Sequence, residues 1–292
     1  MSKACFGSAL AIAVGVGLVF LAPASAAGQV PPAATRAWNA PRTPDGQPDI
    51  QGHWETSAYA QDLETGINDE VTALIQGDAP PDRSKEVSIV IDPRDGKIPY
   101  QPWAAARRLA IPSHRRGDVS RGTPASVRDV RPRTFCLHGT PRSMLQDFQV
   151  VQTPGSVLIL WGFNHQYRVI PLDERPRLSP NVKLIMGDAR GHWEGNTLVV
   201  ETTNLNDWDW FDYTGTFHTD GTSLVERFTI VDADNIQYQF TVTNPKVFTR
   251  SWTVAVPLKR LRRPADFEMW EEACVEGERG IEAILGTDPR RK

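Results

Sequence analysis

Three stretches of the chain carry residue types able to move protons or hold charge. Asp188, Arg190, His192 and Glu194 recur at every second position of one segment, so in a strand they share a face. That face would hold two carboxylates, a guanidinium and an imidazole. His165 and Tyr167 share one face of the strand-like run 165–172, while Gln166, Arg168 and Ile170 point the other way. His165 with Tyr167 reads either as an acid/base couple, since both can move a proton near neutral pH, or as a hydrogen-bonded structural histidine. Glu226 falls among Leu224, Phe228 and Ile230 on an otherwise apolar strand face. A carboxylate there must be hydrogen-bonded, paired or neutral. It is either a structural group bridged to an arginine or a site acid. His165, Tyr167, Asp188, His192 and Glu226 are therefore the candidate catalytic residues. Arg168, Arg190, Trp208, Trp210, His218 and Trp252 are the candidate substrate contacts. Among them, Trp208 and Trp210 lie on a loop able either to stack on a flat molecule or simply to close the core.

Several familiar chemistries are missing. No G-x-S-x-G elbow, H-E-x-x-H helix or phosphate-binding glycine loop occurs. None of the six histidines forms an H-x-H or H-x-x-x-H pair, so His165, His192 and His218 could meet on a metal only through tertiary folding. The expectation is a protein without metal or cofactor.

The elements that must position these groups are mostly strands. Gly195-Asn196 between two strand-like runs is a two-residue hairpin signal. It sets Glu194 opposite Thr197, His192 opposite Val199, Arg190 opposite Glu201 and Asp188 opposite Thr203. Ala189, Gly191, Trp193, Leu198, Val200 and Thr202 then form the core face. The polar face is either solvated, with an Arg190–Glu201 cross-strand pair, or lines a cavity. From Phe148 on, eight strand-like runs with turn punctuation predict an antiparallel barrel or sandwich: 148–152, 157–161, 165–172, 189–194, 197–203, 223–231, 236–242 and 252–258. Upstream, 50–57 and 87–91 read as strands. Residues 68–76, capped by Asn68, and 103–110 read as short helices. Residues 111–133 read as a solvated, arginine-rich loop. The last stretch, 266–285, reads as helical at its end, while its first part, 267–274, reads equally as a last strand.

Composition limits the rest. With 292 residues, 40% hydrophobic and 23% charged, the chain is ordinary for a globular protein. A net charge of −3, from 32 basic and 35 acidic residues, argues against a dedicated nucleic-acid binder. Nine Trp and eleven Phe point to a filled core, an aromatic pocket or both. Lys3, the apolar run 9–22 and Ala24-Ser25-Ala26 make residues 1–26 a signal peptide. Its cleavage after Ala26 would leave no membrane-inserted segment and place the protein in the periplasm or outside the cell. Residues 27–48 form a Pro/Ala-rich leader, and 49–292 a single β-rich domain. Cys136 and Cys274 remain after cleavage and can pair in an oxidising compartment; two buried free thiols are the alternative.

The segments Thr43-Pro44-Asp45-Gly46-Gln47-Pro48-Asp49-Ile50-Gln51-Gly52-His53-Trp54 and Gly187-Asp188-Ala189-Arg190-Gly191-His192-Trp193-Glu194-Gly195-Asn196-Thr197-Leu198-Val199-Val200 carry a resemblance. With Val151-Gln152-Thr153-Pro154-Gly155 and Phe248-Thr249-Arg250-Ser251-Trp252, they resemble a large family of secreted bacterial proteins from proteobacteria and acidobacteria. The resemblance implies no settled reaction. Where relatives tend to carry His and Asn, this chain has Val275 and Glu278 or its neighbours. Gly52-His53-Trp54 also resembles the G-x-W of lipocalin-like proteins. The expected architecture is therefore mainly β, an antiparallel calycin-like barrel with a few short helices.

Two functions follow from these residues. One is an exported, cofactor-free lyase or isomerase acting on an aromatic or hydrophobic small molecule of plant or lignin origin. The other is a periplasmic barrel-type binding or carrier protein with no catalysis. A catalyst needs two titratable groups converging on one point; a carrier needs an apolar pocket with few.

Overall fold

A computed structural model of the chain describes residues 39–56, 62–64, 88–111, 126–130, 132–141, 147–162, 166–212, 214–264 and 266–269. Strands dominate it. In chain order they are β1 (Gly52–Thr56), β2 (Val90–Asp92), β3 (Phe148–Thr153), β4 (Ser156–Leu160), β5 (Tyr167–Pro171), β6 (Asp188–Glu194), β7 (Thr197–Thr203), β8 (Ser223–Ile230), β9 (Asn235–Thr243) and β10 (Trp252–Leu261). One α-helix, α1 (Pro102–Ala110), and two 3₁₀ turns, Val127–Asp129 and Pro132–Phe135, accompany them among the described residues. Proline at its start favours α1, and an extended Ile111 ends it. The expected helix at 68–76, and most of that at 266–285, lie outside the described residues, as do the signal peptide and the leader up to residue 38. Residues 43–47 form a tight turn, closed where the Thr43 amide donates to the Gln47 carbonyl at 2.9 Å. Trp38–Lys292 is one compact unit.

All ten strands join one antiparallel sheet in the order β5-β4-β3-β1-β10-β9-β8-β7-β6, with β2 added alongside β10. Starting at β6 and passing round the sheet, each step goes to the next strand in sequence; β10 leads on to β1 and then to β3. The last strand reached is β5, the sequence neighbour of β6. The sheet is nevertheless not closed into a barrel, so the strand order alone does not establish the calycin form. No ladder joins β5 to β6. They meet through side chains instead: Ile170 Cγ2 and Leu172 Cδ2 lie 2.8 and 2.9 Å from the point a Cβ on Gly191 would occupy. Glycine at 191 is what lets the two edges approach.

The hairpin register is as expected. Glu194 pairs with Thr197, His192 with Val199, Arg190 with Glu201 and Asp188 with Thr203. Gly195 takes a positive φ of 59°, which the turn requires. Alternation then builds the interior in rows across β6 to β10. Gly191, Val200, Glu226, Phe240 and Val254 make one row. Trp193, Leu198, Phe228, Tyr238 and Val256 make the next. The buried side chains from both halves of the sheet form one core, in which Trp54, Trp252, Tyr238, Phe211 and Phe240 are the largest. At one end Arg260 lies 4.2 Å over the Trp54 ring and donates to the Gln51 carbonyl at 2.6 Å. Gly52, at φ 118°, leaves room for that guanidinium.

Candidate buried polar site

Glu226 is fully buried and Arg168 is 3% exposed. Arg168 projects inward from β5 and meets Glu226 on β8. Its Nη1 donates to Glu226 Oε1 at 3.0 Å and its Nη2 to Oε2 at 2.5 Å, a bidentate pair. The remaining Nη hydrogens go to Thr140 Oγ1 at 3.0 Å and Thr202 Oγ1 at 2.6 Å. Tyr238 donates its hydroxyl to Glu226 Oε1 at 2.9 Å. Burial, followed by the Glu226 charge, holds the Tyr238 phenol far above its ordinary range, so it stays protonated and remains a donor. Of the two roles open to Glu226, this is the arginine-bridged carboxylate.

Around this pair several buried polar atoms have no partner. They include Arg168 Nε, the indole nitrogens of Trp161, Trp193 and Trp252, and Gln166 Oε1. Trp161 and Gln166 face each other at the β4–β5 turn, where the Trp161 amide donates to the Gln166 carbonyl at 2.9 Å. Gln166 spends its side-chain NH₂ on the His138 carbonyl at 2.8 Å. His138 is itself buried, and beside it the Gly139 amide donates to the buried Asp209 carboxylate at 2.7 Å. Segments 132–141 and 205–218 thus bring polar groups to one end of the core.

The other expected site residues scatter. Tyr167 points outward and is 66% exposed, so it does not share a pocket with Glu226. Its partner His165 lies outside the described residues. The polar face of the β6–β7 hairpin is the outer one, which corrects its placement in a pocket. His192 and Glu194 are half exposed and sit 3.3 Å apart. Arg227 donates to Glu194 at 2.7 Å and, with His192, holds that carboxyl below its usual range. The Arg190–Glu201 pair does not form. Arg190 bonds Asp188, and Glu201 takes Arg177 at 3.0 Å. Arg177 and Arg190 come from, or reach to, the segment 173–177, which straps the outer side of β6. The strap outcompetes the cross-strand contact because its carbonyls at Arg175 and Pro176 also accept from Arg190.

Trp208 is exposed beneath Arg128, whose Cζ lies 3.8 Å from the ring centroid. Trp210, His218 and Trp252 are buried, as the core-closing alternative for such a loop requires. His218 stacks on Phe211 at 4.8 Å, and Phe211 meets Trp252 edge-on at 5.7 Å. Burial lowers the His218 pKa to about 4, so it is neutral at neutral pH. Cys274 lies outside the described residues, and with it the pairing to Cys136.

Residues missed from the sequence include Thr140, Thr202, Trp161, Gln166 and His138. A second buried cluster was missed too. Arg108 of α1 bonds Glu64 at 2.8 Å and packs 5.4 Å over the Tyr100 ring, while Asp212 accepts from the Thr216 hydroxyl at 2.6 Å. One signal was available for the main pair. Glu226 interrupts an inward apolar face and so signals a buried partner, whereas Arg168 shares its face with Gln166 and Ile170 and carries no such signal. Among the described residues, no group of His, Cys, Asp and Glu is arranged to hold a metal ion, and no helix is long and apolar enough to cross a membrane. No protein-family model and no curated protein matches the chain.

Proposed function

We propose that the chain is a binding or carrier protein for a hydrophobic or aromatic small molecule, held against the inner face of a calycin-like sheet. The observation that carries this reading is the set of buried, unpartnered polar atoms beside the Arg168–Glu226 pair. Buried polar groups are nearly always satisfied, so a group of orphans on one inner face suits a bound molecule or ordered water. Around them the wall is apolar and aromatic, with Trp54, Phe148 and Ile159. Of the residues proposed for catalysis that are described, Tyr167 and His192 point outward, Asp188 is taken by Arg190 and Glu226 is committed to Arg168. That distribution suits a carrier better than a lyase or isomerase. Ring-wise strand order and the Gly52-His53-Trp54 segment support the calycin-like architecture. The signal-like residues 1–26 support export to the periplasm or beyond.

Titration of the purified protein with a panel of monoaromatic compounds tests this, read by tryptophan fluorescence and by chromatography of the added compound. Saturable quenching at one-to-one stoichiometry, with the compound recovered unchanged, is expected. Conversion of the compound to a product would instead put the elimination or isomerisation reading ahead.

A further inference from the structure

Resting on that binding reading, we infer that the ligand is uncharged and offers an oxygen, carbonyl or hydroxyl, to a corner formed by Trp161, Gln166 and Arg168. A guanidinium has five N–H donors. Four of them, on Nη1 and Nη2, reach Thr140, Thr202 and both oxygens of Glu226. Only Nε–H is left, and it is buried without a partner. Trp161 is 3% exposed and adds a second free donor, its indole N–H. Gln166 adds one free acceptor, Oε1. Its orientation is set because the amide NH₂ donates to the His138 carbonyl.

The three side chains belong to one hairpin face. Trp161 sits opposite Gln166, and two residues further along each strand Ile159 pairs with Arg168. Two donors and one acceptor in this arrangement match a ligand oxygen that accepts, with a hydroxyl that also donates.

Charge decides against an anion. Glu226 already balances Arg168 in a bidentate contact. A ligand carboxylate on Nε would set a second negative charge beside Glu226 in a buried interior, with no further cation among the described residues bonded there. Thr140, Thr202 and Tyr238 surround the pair with hydroxyls, and His218 is neutral at neutral pH. A pure hydrocarbon fares poorly as well, because it would seal three polar atoms from water without replacing their hydrogen bonds.

Isothermal titration calorimetry with three probes tests the inference: 4-hydroxyacetophenone, 4-hydroxybenzoate and ethylbenzene. At about pH 6 the phenols are neutral and the benzoate carboxyl is ionised. The ketone should bind at least about tenfold more tightly than either of the others. Trp161→Phe and Gln166→Leu, checked for folding by circular dichroism, should each erase most of that preference, weakening the ketone and, with one polar atom fewer to seal, strengthening ethylbenzene binding. Equal or tighter binding of the benzoate overturns the neutral-ligand inference. Ethylbenzene binding as tightly as the ketone overturns the hydrogen-bonding corner, which would then hold only water. Both of these results leave the carrier reading intact, whereas failure of all three probes to bind overturns the carrier reading and the inference together.

Discussion

Arg168 and Glu226 do for the seam what hydrogen-bond ladders do elsewhere in the sheet. Removing either partner alone leaves a buried charge uncompensated, which costs about 3–5 kcal/mol. Arg168→Met and Glu226→Leu should each destabilise the protein by that amount in urea unfolding. The double variant should recover most of the loss, because both charges leave together. His218 gives a second test, through pH. Its folded pKa, lowered to about 4 by burial, lies below the ordinary 6.5 expected of the unfolded chain. Between those values the unfolded state binds the extra proton, so stability falls as pH drops from 6.5 toward 4. The full effect is about 3 kcal/mol. His218→Phe should flatten that part of the stability–pH curve, measured by denaturant unfolding at several pH values. An unchanged slope would show that other groups set the acid sensitivity.

Between strands, the decisive contact is the approach of β5 to β6 at Gly191. Gly191→Val places a branched side chain where Ile170 and Leu172 already lie, at 2.8 and 2.9 Å from the Cβ position. We expect a loss of about 1–3 kcal/mol and faster amide hydrogen exchange in β5 than in β9. The strands themselves were legible in the sequence. Strict alternation on 236–242 and the Gly195-Asn196 turn fixed both the faces and the register, since period two leaves no freedom once one turn is placed. Glu226 was legible as an anomaly. Its partner was less so, because Arg168 lies 58 residues away and meets it only across the seam. His138, Thr140 and Asp209 lie on irregular segments with no periodicity, so no pattern pointed to them. The outer, polar face of β6 drew attention by its density of chemistry. A strap of backbone carbonyls and arginines, which strand alternation does not encode, accounts for that density.

For the molecule as a whole, the strand order is simple: consecutive strands lie side by side through one sheet, apart from β2, which pairs with β10. Two covalent expectations belong to this scale. Protein recovered from an oxidising compartment should begin at Ala27 and yield linked peptides containing Cys136 and Cys274 in a non-reducing peptide map. Two alkylatable thiols would reject the bridge. A bridge across so long a loop would contribute roughly 4–5 kcal/mol by chain entropy. The single unladdered seam has a kinetic consequence. The β5–β6 boundary, held by side chains alone, should open first, while every other boundary between strands β6 to β10, β1 and β3 to β5 is zipped by backbone bonds. On the proposed carrier reading, a ligand would pass this seam only as often as Arg168 lets go of Glu226. Residence time inside would follow that release rate, so ligands of very different affinity would share a common ceiling on how fast they escape.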